Sequence, residues 1–197
     1  MRNNFQTVCN QGKTNCKCLE TLATALASIG RTTLSRGMSR IIKTVHLTDE
    51  NATLKLGARL APYLRAGDVV LLKGDLGAGK TTWARGLICS LLGAEVGDVE
   101  VPSPTYTLVQ TYDAPNFEVW HFDLYRLKQE NDIWELGIEE ALDDGICLIE
   151  WPKRIEGLLN GSELTVALNI DNSERTAKII GNTDWQMRLK EARLGGA

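Results

Sequence analysis

The stretch Val69 to Thr82, V-V-L-L-K-G-D-L-G-A-G-K-T-T, restricts the fold of this chain more than any other part of it. An apolar run leads into G-x-x-x-x-G-K-[ST] at Gly74 to Thr81, and a helix-compatible segment follows. Strand, glycine loop and helix, in that order, are what this spacing needs to cradle phosphate. Gly74 and Gly79 allow backbone angles that a Cβ would forbid. The N–H groups of the intervening Asp75, Leu76, Gly77 and Ala78 can then turn inward on an anion. Lys80 brings a compact positive charge to the β- and γ-phosphates. Thr81 offers its hydroxyl to Mg²⁺. Thr82 continues the helix whose positive end faces the same anion. The expected ligand is a nucleoside triphosphate.

At 197 residues the chain suits one domain with extensions. The expected division is an N-terminal extension over 1–37, a P-loop domain over 38–183 and a C-terminal tail over 184–197. Hydrophobic content of 43% and charged content of 24% are ordinary for a globular protein. No apolar run is long enough for a transmembrane helix, so no membrane contact is expected. Five basic residues and one acid precede Met38, so of the formal −3 this segment carries +4 and the rest −7. An acidic body does not suit a protein that binds nucleic acid by itself. The basic first segment, rich in Asn, Thr, Ser and Gln, has three readings: a targeting peptide, a disordered tail, or sequence preceding a true start at Met38. The last two are favoured, because M-S-R-I-I-K opens directly into a strand.

The cysteines are Cys9, Cys16, Cys18, Cys89 and Cys147. An odd number with irregular spacing argues against a disulfide framework and for a reducing compartment. Cys9, Cys16 and Cys18 lack a convincing fourth ligand for zinc. Cys89 and Cys147 read as small buried hydrophobes. A bacterial cytoplasmic location is expected, with organellar import open if residues 1–37 are a transit peptide.

Strand and helix alternate from Met38. Ile41 to Leu47 reads as a strand. Thr48-Asp49-Glu50 then caps a helix running to about Leu64. Val69 to Lys73 is an apolar, parallel-type strand, and Thr81 to Leu92 is its helix, closed by Gly93. Thr105 to Tyr112 and Phe117 to Phe122 alternate as a hairpin. A helix over about Glu130 to Leu142, a buried strand over Ile146 to Ile149 and a helical piece over Pro152 to Leu159 follow. Leu164 to Ile170 and Arg175 to Ile180 make a second hairpin around Asp171-Asn172-Ser173. The polar tail from Asp184 reads as helical. The fold class is α/β, a three-layer P-loop core with a mostly parallel sheet and added antiparallel hairpins.

Hydrolysis needs an acid for Mg²⁺ and a group to orient water. Glu150, ending I-C-L-I-E-W, is delivered by a core strand to the sheet edge where the phosphate loop sits. The competing reading is a solvent-facing acid at a strand end. Asp123, in V-W-H-F-D-L-Y-R-L, can hold the metal's water shell or act on the attacking water; alternatively it caps a turn. His121 alternates with Asp123 and reads as a hydrogen-bonded structural residue. V-P-S-P-T-Y-T-L-V, Val101 to Val109, lies where P-loop proteins keep a γ-phosphate switch, and Ser103, Thr105 and Thr107 are its hydroxyls. Trp151 is open between nucleotide stacking and packing. The absence of N-K-x-D favours ATP over GTP.

Taken together, G-D-L-G-A-G-K-T-T at Gly74 to Thr82, S-P-T-Y-T-L-V at Ser103 to Val109, H-F-D-L-Y-R-L at His121 to Leu127 and I-C-L-I-E-W at Ile146 to Trp151 resemble the TsaE family, formerly YjeE. The likeness extends over about Ile42 to Ile180 and includes L-T-D-E-N-A-T-L-K-L-G at Leu47 to Gly57. It implies a slow, partner-dependent P-loop ATPase that assists threonylcarbamoyladenosine formation on tRNA beside the anticodon. It implies TsaD and TsaB as protein partners, with tRNA met only through their complex. By the same resemblance Lys80 and Asp123 serve catalysis, and Thr81 and Glu150 hold Mg²⁺. Asp49, Thr105 and Arg175 join the loop residues Gly74 to Thr82 as nucleotide contacts. Two other classes stay open: a small-molecule kinase on this scaffold, for which no acceptor pocket or basic clamp is evident, and a nucleotide-dependent binding module without significant hydrolysis.

Overall fold

The computed structural model describes residues 38–171 and 174–194. Residues 1–37, with Cys9, Cys16 and Cys18, lie outside them, as do Asn172 and Ser173 at the expected turn of the second hairpin.

Among the described residues seven strands form one sheet in the order β1-β7-β6-β2-β5-β4-β3. They are β1 (Arg40–Leu47), β2 (Val69–Lys73), β3 (Val109–Ala114), β4 (Phe117–Asp123), β5 (Ile146–Glu150), β6 (Leu164–Asp171) and β7 (Glu174–Gly181). The four central strands β6, β2, β5 and β4 run parallel, and β1, β7 and β3 add antiparallel neighbours at the two edges. The helices are α1 (Glu50–Leu60), α2 (Lys80–Leu92), α3 (Ile138–Asp144) and α4 (Thr183–Arg188).

The apolar run of β2 explains the layering. Successive side chains of a strand point to opposite faces, and both faces here are covered. Val70 and Leu72 pack with Leu56 and Leu60 of α1, Trp83 and Leu87 of α2, and Trp185 of α4. Val69 and Leu71 pack on the other side with Phe122, Ile133, Ile138 and Ala141. Fully burying each such side chain contributes about 1.5–3 kcal/mol. The α1 and α2 helices cross closely because two positions lack a Cβ. One built on Gly57 would overlap the Trp83 carbonyl, and one on Gly86 the Leu54 carbonyl. This contact sets the start of α1 beside the phosphate loop, where a Cβ on Gly79 would lie 3.5 Å from Thr53 Cγ2.

Several boundaries differ from expectation. The α1 helix ends at Leu60, and a 3-10 turn, Ala61–Tyr63, replaces its last part; Pro62 has no N–H to continue the ladder. Strand β3 begins at Val109 rather than Thr105, because Leu108 adopts φ 66° and its N–H bonds back to the Pro104 carbonyl at 2.6 Å. The helix expected over Glu130 to Leu142 is broken at Gly137, φ 79°, into a 3-10 segment and α3. Pro152 to Leu159 forms two short 3-10 turns, Pro152–Arg154 and Glu156–Leu158. The segment from Asp184 is helical through Arg188, yet Trp185, Leu189 and Leu194 join the main core. Arg188 fixes it with two hydrogen bonds, 2.7 and 3.0 Å, to the Asp68 carboxylate.

Cys89 and Cys147 are buried free thiols. Burial pushes the Cys147 thiol up to about 12. No helix among the described residues is long and apolar enough to cross a membrane.

Candidate nucleotide-binding site

The carboxyl ends of parallel strands are where open α/β sheets form their ligand crevice. Here β2 ends in the glycine loop. Gly74 has φ 141° and Gly79 φ 100°, conformations in the region that side chains disfavour. A Cβ on Gly74 would also overlap the Leu168 carbonyl of β6. No side chain caps the N-terminus of α2, which leaves its first N–H groups uncapped by any side chain, as an anion site requires.

Lys80 opens α2 and is 4% exposed. Its Nζ donates to the carbonyls of Gly74 at 2.9 Å and Asp75 at 2.8 Å. It also lies 3.9 Å from the centroid of the Trp151 ring. Burial holds its pKa below the ordinary lysine value, against the raising influence of Glu150, Asp123 and Asp75. Trp151 follows Glu150 with φ 57°, an uncommon left-handed non-glycine residue, and its ring meets Tyr125 at 5.0 Å.

Opposite the loop stand two carboxylates brought together by strand register. Asp123 of β4 and Glu150 of β5 are direct partners in the parallel ladder. Both are 2% exposed. Glu150 Oε1 accepts a 2.8 Å hydrogen bond from the Thr81 hydroxyl and lies 2.9 Å from His121 Nε2. This burial excludes the reading of Glu150 as a solvent-facing acid. Asp123 Oδ2 accepts from the Thr105 hydroxyl at 2.6 Å and the Ser103 hydroxyl at 3.3 Å. Its Oδ1 accepts from the Tyr125 N–H at 3.0 Å. Asp123 thus caps a turn and holds the Val101–Val109 segment at once. His121 is fully buried, and its Nδ1 has no hydrogen-bond partner among the described residues.

These groups share one cleft of about 700 Å³. Leu76, Gly77, Gly79, Lys80, Thr81 and Thr82 line it with Ser103, Thr105, Asp123 and Glu150. Asp49 and Arg175 line it too. Asp49 caps α1, accepting from the Ala52 N–H at 2.7 Å. Arg175 sits on β7 opposite Leu47 of β1. Gly74 and Asp75 border the adjoining groove beside Trp151 and Pro152, and Ala78 is a buried residue of the loop itself. Thr107 is exposed and outside the cleft lining. Sequence reasoning missed Thr53, Tyr125 and Arg126, which line the same cleft. Thr53 lies one helical turn beyond Asp49, so spacing gave a usable signal for it. Tyr125 and Arg126 follow Asp123 on a turn, for which no periodicity exists.

Among the described residues no group of three His, Cys, Asp or Glu side chains is placed to hold a metal alone. The oxygen donors of Thr81, Glu150 and Asp123 fit Mg²⁺, which typically binds through one or two carboxylates together with substrate phosphates.

Residues 47–179 match the family model described as "Threonylcarbamoyl adenosine biosynthesis protein TsaE". A "tRNA threonylcarbamoyladenosine biosynthesis protein TsaE" of Rickettsia conorii is 46% identical over 137 residues, covering 69% of this chain and 77% of the relative. The protein of that description from Haemophilus influenzae is 35% identical over 147 residues, covering 72% and 90%. That from Bacillus subtilis is 35% identical over 153 residues, covering 76% and 90%. The crystal structure of Bacillus subtilis YdiB superposes with a TM-score of 0.64 at 26% identity, covering 79% of this chain and 95% of that one.

Proposed function

The chain belongs to the TsaE family, and from that premise we propose that it is an ATPase serving threonylcarbamoyladenosine formation on tRNA. The observation that carries the proposal is the buried pair Asp123 and Glu150, adjacent in register and facing the phosphate loop across one cleft. A loop alone supports binding; the paired acids supply what hydrolysis adds.

The loop N–H groups and the α2 N-terminus receive the phosphates. Lys80, already held beside the loop carbonyls, neutralises the β- and γ-oxygens. Thr81 and Glu150 are the residues that would hold Mg²⁺, which would offset the phosphate charge there. Asp123 orients the attacking water and receives its proton as the water oxygen bonds to the γ-phosphorus. The bond from that phosphorus to the bridging oxygen breaks, its electrons stay with ADP, and the proton passes on to solvent. Thr105 fixes Asp123 for this role. Asp49 and Arg175, which line the same cleft, are further nucleotide contacts. Positioning and general-base terms of this kind contribute roughly 10²–10⁴-fold in rate.

TsaB and TsaD are the protein partners in this reading, and tRNA is reached through their complex rather than by the acidic chain itself. The cytoplasm is the compartment that this reading implies, with an organelle the alternative if residues 1–37 are a transit peptide. The test is ATP hydrolysis with Mg²⁺ by the purified chain, alone and with a TsaB–TsaD pair, beside Lys80→Ala and Glu150→Ala. Turnover that needs both residues, with modified tRNA accumulating over many cycles only in the presence of the wild-type chain, supports the reading. Tight ATP binding without hydrolysis and without effect on tRNA overturns it in favour of a binding module. Release of ADP only with a small-molecule acceptor favours a kinase.

A further inference from the structure

Among the described residues three cationic side chains line the candidate cleft: Lys80, Arg126 and Arg175. The phosphate loop accounts for Lys80. Arg175 lies on β7, two strands from β2 on one side of the sheet, and Asp123 lies on β4, two strands away on the other. Of the two arginines, Arg126 is the one on the side of the paired acids. It comes three residues after Asp123, on a turn pinned at three points. The Tyr125 N–H bonds to the Asp123 carboxylate, the Leu127 N–H to the Leu124 carbonyl, and the Leu124 N–H to the Glu150 carbonyl. The backbone carrying Arg126 is therefore tied to both acids.

Its side chain is not. Arg126 is exposed, and among the described residues its one recorded partner is the ring of Tyr106, 4.3 Å from the guanidinium. Tyr106 is 81% exposed and adjoins Thr105, whose hydroxyl bonds to Asp123. A guanidinium resting on an aromatic face keeps its donors free for an incoming anion. The stack thus parks a fixed cation beside the hydrolytic residues and on the segment expected to sense the γ-phosphate.

From this placement we infer that Arg126 is a catalytic residue that stabilises the γ-phosphoryl group during hydrolysis, supplied from within the chain. The inference rests on the ATPase reading above. In the loose transition state of phosphoryl transfer, negative charge spreads over the three equatorial oxygens. Water forms the new bond to phosphorus and ADP leaves with the electron pair of the old one. Arg126 makes and breaks no bond; its planar fork binds two of the oxygens. Such arginines contribute about 10³–10⁵-fold in turnover.

The experiment compares wild type, Arg126→Ala and Arg126→Lys in the full chain, with and without the TsaB–TsaD pair. It measures ATP turnover, ADP affinity, and affinity for ADP with aluminium fluoride. Arg126→Ala should lose about 10³-fold in turnover and a comparable part of aluminium fluoride binding. Its ADP affinity should stay within about threefold, since uniform ground-state binding is untouched. Added guanidinium should restore part of the rate, and Arg126→Lys should restore little, lacking the fork. Turnover by Arg126→Ala equal to wild type overturns this assignment alone, as does a loss of ADP affinity that matches the loss of rate. Wild type that does not hydrolyse ATP, with or without the pair, overturns the ATPase reading and this assignment together.

Discussion

The two walls of the cleft are built on different principles. The phosphate loop works through backbone. Its shape is set by Gly74 and Gly79 in conformations that side chains disfavour, and by the Leu168 carbonyl that leaves Gly74 no room for a Cβ. The acid wall works through side chains. Asp123, Glu150, Thr105 and Thr81 meet from separate elements and hold one another by hydrogen bonds of 2.6 and 2.8 Å. Damage to the loop should therefore abolish binding and fold together, whereas damage to the acid wall should separate binding from chemistry.

The harshest way to press this contrast is Gly74→Ala. The overlap with Leu168 and about 1–3 kcal/mol of backbone strain should lower the melting temperature and remove measurable ADP binding in calorimetry. Full ADP affinity in that variant would mean the loop tolerates a Cβ and the contrast is misplaced. Asp123→Asn tests the other wall. Turnover should fall roughly 10²–10⁴-fold while ADP affinity changes little. Equal losses of both would show that Asp123 belongs to binding. Thr105→Ala is milder: it removes one hydrogen bond to a charged acceptor, and turnover should drop about tenfold, with the Asp123→Asn, Thr105→Ala double variant no worse than Asp123→Asn alone. Additive losses would separate Thr105 from Asp123.

The smallest effect concerns pH. Burial lowers the Lys80 pKa from 10.5. The folded chain therefore releases this proton before the unfolded chain does. The Lys80 contribution to apo stability accordingly rises with pH in the window below 10.5, because the unfolded state binds more protons there. Phosphate affinity runs the other way, since the ligand wants the charged amine. Titrating ADP binding from pH 7 towards pH 10 should show a loss of a few fold, and Lys80→Arg should flatten that loss because guanidinium stays charged.

The same contrast explains what could be read from the chain. The loop is local, so spacing within Gly74 to Thr81 sufficed, and the apolar run announced β2 to the residue. Asp123 and Glu150 were visible singly as acids ending apolar strands. Their adjacency was not, because it depends on the pairing of β4 with β5, elements far apart in sequence. Asp49 and Arg175 came from likeness to relatives rather than from spacing, and the structure brings both to the cleft. Thr107 does not reach it, because the left-handed turn at Leu108 delays the start of β3. The charges of the last segment masked its core residues, although Trp185 and Leu189 stand one helical turn apart, the spacing of a buried face. Arg126 lies in the motif H-F-D-L-Y-R-L, but nothing there singled it out: a turn has no period, and its stacking on Tyr106 joins segments separated by the whole β3–β4 hairpin.

The ladder partnership of Asp123 and Glu150 has a consequence for assembly as well as for chemistry. A slip of one residue between β4 and β5 would turn every side chain of β4 to the opposite face. Phe122 would then enter the cleft and Asp123 would be driven into the apolar layer behind the sheet. No such chain could bring the two acids side by side. On the ATPase reading, turnover would therefore come only from molecules whose central strands have closed in the right register.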